Sequence, residues 1–416
     1  MKILVVGKGG REHALVRALS ESPGRHEMYC FPGSDAISAL AEPVEVEGLH
    51  DLIAWMKDHA IDLCVAGEES YLVKDEGLAN LCAEAGIPCW GPPKEAAQLE
   101  ASKEFAKQFM ERHGIPTGKA SAVESLTEAN EVIGENIPTV LKFDGLAAGK
   151  GVAVCTDRAM ADDFLKEVFE EKRFGDGAVL VEEFLEGPEV SIFAAVSGGT
   201  YEIFTPARDY KRIGEGDTGP NTGGMGAVAC RNLIDAELLA RIEKEIVKPT
   251  VDGLVSDGLS YCGFLYFGLM LTKDGPKIIE YNCRFGDPEC QAVMPLVSGD
   301  LAGYCLAGAK GDLPVGTLTF DDGWSVCVIL ASAGYPASSR SDDPIRGLED
   351  LEDARVYHSG TRTENGHWVT NGGRVLAIVA GGATREEAVE LAHGEAAKVD
   401  FPGSQRRGDI GRLHFD

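Results

Sequence analysis

No stretch of this 416-residue chain approaches the run of about 18 apolar residues that a membrane span requires. The opening MKILVVGKGG holds only the four-residue apolar run Ile3–Val6, too short for an export signal. Basic residues are scarce: 39 Lys and Arg stand against 67 Asp and Glu, a net charge of −28. Such a field repels nucleic acid and anionic membranes at long range. It leaves room for a small phosphorylated substrate, because a few local cations and backbone N–H groups overcome a screened distant field. Paired cysteines are missing too, since none of the 11 Cys forms a Cys-x-x-Cys motif and a chain of this size needs no disulfide staples. Reduced thiols in a cytoplasm are expected. Cys64, Cys155 and Cys262 lie in apolar runs and read as small buried hydrophobes rather than metal ligands.

What is present is material for two to four cores, with 44% hydrophobic residues. Over the first hundred residues short β-branched runs alternate with helical patterns. Lys2–Val6 precedes Glu12–Ser20, and Asp62–Ala66 precedes Leu72–Glu84 and then Pro88–Trp90, which predicts βαβ units and a parallel sheet. Ala101–His113 reads as an amphipathic helix stopped by Gly114 and Pro116. Strand patterns at Thr139–Phe143, Val152–Cys155 and Val179–Phe184 surround a charged helix at Ala159–Lys172, the make-up of a small α+β lid. A long helix is expected over Asp235–Asp257, then strands at Gly263–Thr272 and Pro276–Asn282, then a β-rich block after Pro314.

Several clusters carry chemistry. Gly7-Lys8-Gly9-Gly10 joins a strand to a helix whose N-terminal N–H groups suit a phosphate. Glu12 stands where a dinucleotide fingerprint needs its third glycine, so an oxidoreductase is only a minor alternative. Lys142 lies on a strand and Lys150 in a turn flanked by Gly149 and Gly151, where backbone and two ammonium groups can meet phosphate oxygens; the Walker spacing is absent, and a solvated hairpin explains the pattern equally well. Glu280 and Asn282, two apart on a strand, share a face and offer hard oxygens suited to Mg²⁺. Arg284-Phe285-Gly286-Asp287-Pro288-Glu289, Asp209-Tyr210-Lys211-Arg212 and Gly219–Gly226 are loops whose Gly and Pro density marks shape that matters. Salt bridges among Asp209, Arg212, Arg284 and Asp287 would explain those charges equally well.

These residues resemble the glycinamide ribonucleotide synthetase family of the ATP-grasp superfamily. The likeness rests on RFGDPECQ at Arg284–Gln291, GGREHAL at Gly9–Leu15, DGLAAGKGV at Asp144–Val152, GDTGPNTGGMGA at Gly216–Ala227 and TNGGRVL at Thr370–Leu376, in family order over nearly the whole chain. It implies a multidomain fold of α/β and α+β parts. These are a Rossmann-like domain over 1–100, a linking helix over 101–116, an ATP-grasp lid over 117–187, a central ATP-grasp domain over 188–320 and a β-rich domain over 321–416. It implies ATP-dependent joining of glycine to 5-phospho-D-ribosylamine through glycyl phosphate, in de novo purine synthesis, by a cytoplasmic monomer without nucleic-acid or membrane partners.

By the same resemblance Lys103, Lys142 and Lys150, with Gly149 and Gly151, would meet ATP phosphates; Glu182, Glu183, Phe184 and Leu185 would hold adenine and Glu189 the ribose. Glu280 and Asn282 would hold Mg²⁺ or Mn²⁺. Arg284, Asp209 and Asp287 would serve the chemistry, and Gly9, Gly10, Glu12, Lys211, Gly223, Gly224, Gly286, Arg406 and Arg407 the substrates. The chain departs from the family pattern at Lys8, at Gly67-Glu68-Glu69, and at Gly408, an extra residue after the basic pair. Gly268 stands where many ATP-grasp proteins place a metal-binding carboxylate, and this branch lacks it.

Overall fold

The computed structural model describes residues 1–145 and 151–412. The fold is a mixed α/β multidomain one. Ile3, Leu4, Val5 and Val6 are all fully buried, as expected of a strand covered on both faces. Their strand, Lys2–Gly7, is the centre of a parallel sheet in the order Glu42–Pro43, Glu27–Pro32, Lys2–Gly7, Leu63–Ala66, Cys89–Trp90. The helix expected over Leu72–Glu84 is two pieces, Ser70–Val73 and Leu78–Ala85. Asp75 and Gly77 between them take positive φ, 53° and 90°, which ends a right-handed helix.

The linking helix runs Lys103–Arg112, with Ser102 accepting from the Phe105 N–H as its N-cap. Beyond it the strands Ala120–Val123, Val179–Glu183, Thr139–Phe143 and Val152–Cys155 form an antiparallel sheet under the helices Leu126–Ile133 and Arg158–Phe169. Leu141, Phe164, Leu165 and Val179 lie in a core of their own, separate from the rest of the molecule. A unit with its own core can pivot as a body.

The largest sheet is antiparallel and runs from Gly275–Asn282 through Cys262–Thr272, Glu189–Ser197, Ala207–Asp209, Gly226–Cys230, Trp324–Ala331 and Arg374–Gly382 to Arg355–His358. It passes without interruption from the central region into the C-terminal block, because Gly226–Cys230 pairs directly with Trp324–Ala331. The expected boundary at 320/321 is therefore a change of chain segment inside one sheet. The long helix begins after its N-cap Asp235 but is π-helical over Glu243–Val247 before continuing as Lys248–Ser256. Pro249 has no N–H to donate, and a widened turn just ahead of it accommodates that loss. Among the described residues no helix is long and apolar enough to cross a membrane.

Candidate active site

One cavity of about 420 Å³ opens where the first sheet, the linking helix, the lid and the large sheet meet. Its first wall is cationic. Lys142, on lid strand Thr139–Phe143, is 4% exposed, and its Nζ lies 3.0 Å from Glu182 Oε2 and donates to the Ile279 carbonyl at 2.9 Å. That carbonyl is available because the register of the large sheet slips between Gly268 and Leu269, leaving Ile279 opposite no partner. Lys103 donates through Nζ to the Gly145 carbonyl at 2.8 Å, and burial lowers its pKa. Lys107, one turn along the same helix, sits 3.2 Å from Glu182 and is likewise lowered by burial. Glu182 Oε1 is buried and has no hydrogen-bond partner among the described residues, so an acceptor is left at the wall.

The second wall holds Glu280 and Asn282 side by side, both lining the cavity as their shared face requires. The Asn282 amide, oriented by its hydrogen-bond pattern, donates to the Tyr281 carbonyl at 3.0 Å and to Glu100 Oε1 at 3.1 Å. Opposite Glu280 in the sheet is Gly268, where a Cβ would sit 3.1 Å from both Glu280 Cγ and the Tyr266 ring, so a second carboxylate there would require these neighbours to shift.

The floor is an alternating chain of charges. Arg11 touches Glu12 at 2.6 Å and Glu69 at 3.2 Å; Arg284 touches Glu69 at 3.1 Å and Glu100 at 2.7 Å. Burial would push the Glu69 carboxyl up, but the two guanidinium groups outweigh it and hold Glu69 far below the carboxylate range. Glu100, buried with Arg284 as its principal opposing charge, is pushed up to about 7. Beside them Lys211 Nζ bridges Glu189 at 2.6 Å and Asp209 at 3.0 Å. Burial raises the Asp209 pKa against the pull of Lys211. Glu289 is also pushed up to about 7 by burial; it accepts from Ser191 Oγ at 3.0 Å and lies in space that a side chain at Gly286 would take, since a Cβ there would stand 2.5 Å from Glu289 Oε2.

Asp287 closes the far end. Arg374 donates to its Oδ2 at 2.9 Å and to its main-chain carbonyl at 2.9 Å, while Gln291 donates to its Oδ1 at 2.7 Å. Burial opposes its ionisation, yet Arg374 prevails and the Asp287 pKa falls.

Gly9, Glu12, Gly151, Gly223 and Gly286 also line this space. Glu12 does more than replace a glycine. Its carboxylate accepts from the Gly9 N–H at 2.7 Å, and its stem lies where side chains at Gly7 and Gly67 would be, a Cβ at Gly67 coming within 2.5 Å of it. The chain's own carboxylate thus caps the Gly9 N–H at the head of this helix.

Other expected residues are elsewhere. Gly10 and Gly224 lie behind the wall as packing positions, with Ser359 and Gln291 against the first and Pro288 against the second. Glu183, Phe184 and Leu185 follow Glu182 but are not on the cavity wall, and Glu189 reaches it only through Lys211. Gly149 and Lys150 fall outside the described residues.

The basic pair departs furthest from expectation. Arg407 is fully buried away from the cavity, with its guanidinium on Asp217 and Asp409 at 2.7 Å each and on the Arg212 carbonyl at 3.0 Å. Arg406 donates to the Ala396 carbonyl at 3.2 Å. Neither lines the cavity, and the N–H of the following Gly408 donates to Glu215 at 2.8 Å.

Arg11, Glu69, Glu100, Lys107, Glu289 and Arg374 line the cavity without having been singled out. Arg11, Glu289 and Arg374 sat inside the quoted motifs, and Lys107 was readable as the i+4 neighbour of Lys103.

Three family models match in succession: the phosphoribosylglycinamide synthetase N domain over residues 1–100, its ATP-grasp (A) domain over 101–290 and its C domain over 325–413. The phosphoribosylamine–glycine ligase of Caldanaerobacter subterraneus is 45% identical over 415 residues, covering 99% of both chains. That of Vibrio parahaemolyticus is 42% identical, covering 99% of this chain and 98% of its own. Among solved structures, the phosphoribosylamine–glycine ligase of Thermotoga maritima aligns with a TM-score of 0.85 at 34% identity over 99% of this chain and all of that one. A 2-oxoglutarate carboxylase biotin carboxylase domain from Hydrogenobacter thermophilus, 18% identical with a TM-score of 0.75, shares the fold over 97% of this chain and 91% of that one. With its cavity built at the junction of those three domains, this chain belongs to the phosphoribosylglycinamide synthetase family.

Proposed function

We propose that the cavity joins glycine to 5-phospho-D-ribosylamine using ATP, through a glycyl phosphate intermediate, and releases glycinamide ribonucleotide, ADP and phosphate for purine synthesis. The observation that carries this reading is one cavity lined both by buried lysines and by a carboxylate–guanidinium network. On this reading Lys103 and Lys142 neutralise phosphoryl oxygens, with Lys150 and Gly149 assigned to the same task. Ala106, Met110 and Val152 give an apolar face for a purine, and the unpartnered Glu182 Oε1 is an acceptor for its amino group. Glu280 and Asn282 supply the hard oxygens that Mg²⁺ or Mn²⁺ prefers, and such a cation, when bound, offsets charge on the transferring phosphoryl group.

A glycine carboxylate oxygen attacks the γ-phosphorus, and the bond from phosphorus to the ADP oxygen breaks. The ribosylamine nitrogen then attacks the glycyl carbon; phosphate leaves, and the nitrogen gives up a proton. Arg284 is held by Glu69 and Glu100 in one orientation from which to steady carboxylate or phosphoryl oxygens. Asp209 and Asp287 serve as anchors for an amine. The lid excludes water that would hydrolyse the acyl phosphate. We read the chain as a cytoplasmic monomer whose partners are these small molecules.

Glycine labelled with oxygen-18 in its carboxylate tests the intermediate. One labelled oxygen is expected in the released phosphate when ATP, glycine and a phosphoribosylamine-generating mixture are supplied. Unlabelled phosphate alongside normal product formation would exclude glycyl phosphate.

A further inference from the structure

Outside the reaction cavity, three cysteine sulfurs from three separate elements converge. Cys64 and Cys89 are register partners on neighbouring parallel strands, so their side chains leave the same face of the sheet. Cys82, on the helix Leu78–Ala85, packs over that face. All three sulfurs lie within 4.8 Å of one another. Their backbones are tied down: the Cys64 N–H donates to the Pro88 carbonyl at 2.9 Å, the Ile87 N–H to the Cys82 carbonyl at 2.9 Å, and the Cys262 thiol to the Cys89 carbonyl at 3.6 Å. Cys64 and Cys82 are fully buried, whereas Cys89 is half-buried. None of the three belongs to the wall of the cavity.

We propose that Cys64, Cys82 and Cys89 form a binding site for a closed-shell thiophilic cation, Zn²⁺ or Cu⁺. Sulfurs each about 2.3 Å from a common ion stand about 4 Å apart, so the trio needs adjustments of less than about 1 Å to close on one. Soft thiolates select these ions over the Mg²⁺ that hard oxygens hold. Packing of thiols as small hydrophobes accounts for one or two such residues in a core. It does not call for three of them, from two strands and a helix, to bring their sulfurs within 4.8 Å of one another. The thiol protons leave as the ion enters, because only the deprotonated sulfur ligates strongly. The linear spacing of Cys64, Cys82 and Cys89 matches no metal motif, because the sheet register brings the ligands together.

The test uses the full-length, fully reduced protein, titrated separately with Zn²⁺ and with Cu⁺ against a chelating indicator, and with Cd²⁺ as a spectroscopic probe. One tightly held equivalent and a sulfur-to-cadmium ultraviolet band are expected; the oxygen ligands of the reaction cavity give no such band. Cys82→Ala and Cys89→Ala should each abolish the band and weaken binding by more than about 100-fold, beyond the loss typical of an outer-shell partner. Should Cys82→Ala fail to fold, Cys89→Ala at the half-buried position decides alone. No tight equivalent of either ion, or a band that survives Cys89→Ala, overturns the site. Tighter binding of one ion over the other identifies which cation it takes.

Discussion

At the scale of single residues the cavity is a set of charges whose positions are fixed by other charges. Arg284 uses Nε on Glu69, one terminal nitrogen on Glu100 and the other on the Phe285 carbonyl, so it is preorganised rather than free to swing. Arg407 uses the same chemistry for a different end. Its guanidinium lies over the Tyr210 ring at 5.1 Å and between Asp217 and Asp409, clamping the C-terminal loop onto the strand and loop region around Arg212. Replacing it with Ala would leave Asp409 short of its main partner, and Asp217, which is half exposed, would rehydrate. Arg407→Ala should therefore cost about 2–4 kcal/mol of stability, read as a fall in the urea midpoint, with the KM for each substrate nearly unchanged. A rise in the KM for phosphoribosylamine alone, at unaltered stability, would return Arg407 to a phosphate-binding role.

At the scale of elements, the opening helix Gly10–Ser20 packs against the strand Arg355–His358 through two histidines that burial keeps neutral. His13 Nδ1 accepts from the His358 N–H at 3.0 Å, and burial lowers His13 to about 3 and His358 to about 4 from the ordinary histidine value of about 6.5. A base whose folded pKa is depressed binds fewer protons folded than unfolded. Stability from this pair is thus complete above pH 6.5 and is lost as pH falls towards 4, by several kcal/mol in order of magnitude. His13→Asn keeps an acceptor for the His358 N–H and removes one titrating ring, so the slope of unfolding free energy against pH should flatten between pH 6.5 and 4. Parallel slopes for the two proteins would show that His13 does not titrate there. Glu100 and Glu289 are raised, and their stabilisation runs the opposite way, present below their unfolded pKa values and lost as pH rises through about 7. They are common to both proteins, so the difference isolates His13.

The elements that sequence made legible are those whose cause is local. The fully buried Ile3–Val6 run and the Ser102-capped helix announce themselves in pattern and cap. The break at Asp75 and Gly77 does not, because hydrophobic period carries no information about the sign of φ. Nor does the sheet passing through residue 320, which is fixed by pairing between distant strands. The cavity followed the same division. Lys142, Glu280 and Asn282 were readable from strand alternation and motif, whereas Glu69 reaches Arg284 across 215 positions and no spacing predicts that. The extra Gly408 was visible, but its consequence, a loop folded onto Glu215, depends on a partner 193 positions away.

At the scale of the whole molecule, the proposed chemistry needs a lid with its own core to be docked while the acyl phosphate exists, and Asp144 makes contacts that dock it. Asp144, at the end of lid strand Thr139–Phe143, accepts from the N–H groups of Lys103 at 2.5 Å and Glu104 at 3.2 Å and from Ser102 Oγ at 3.2 Å. A lid carboxylate thus sits at the positive end of the linking helix, where charge and unpaired N–H groups both favour it, at about 1–2 kcal/mol. The same contact fixes Lys103, whose Nζ reaches back to the Gly145 carbonyl at 2.8 Å. Asp144→Ala should leave the lid's core and the rest of the molecule intact but shift the lid towards an undocked state. Amide exchange should then rise across Ala120–Glu183 and not in the first sheet. The KM for ATP should increase about tenfold, the factor that 1.4 kcal/mol of docking energy represents. Water would reach the glycyl phosphate, so ADP release should exceed product formation, where the parent enzyme gives one ADP per product. If exchange in the lid rises but ADP and product stay equal, exclusion of water does not depend on this clasp. If neither changes, the lid is held by its other contacts and Asp144 only caps the helix.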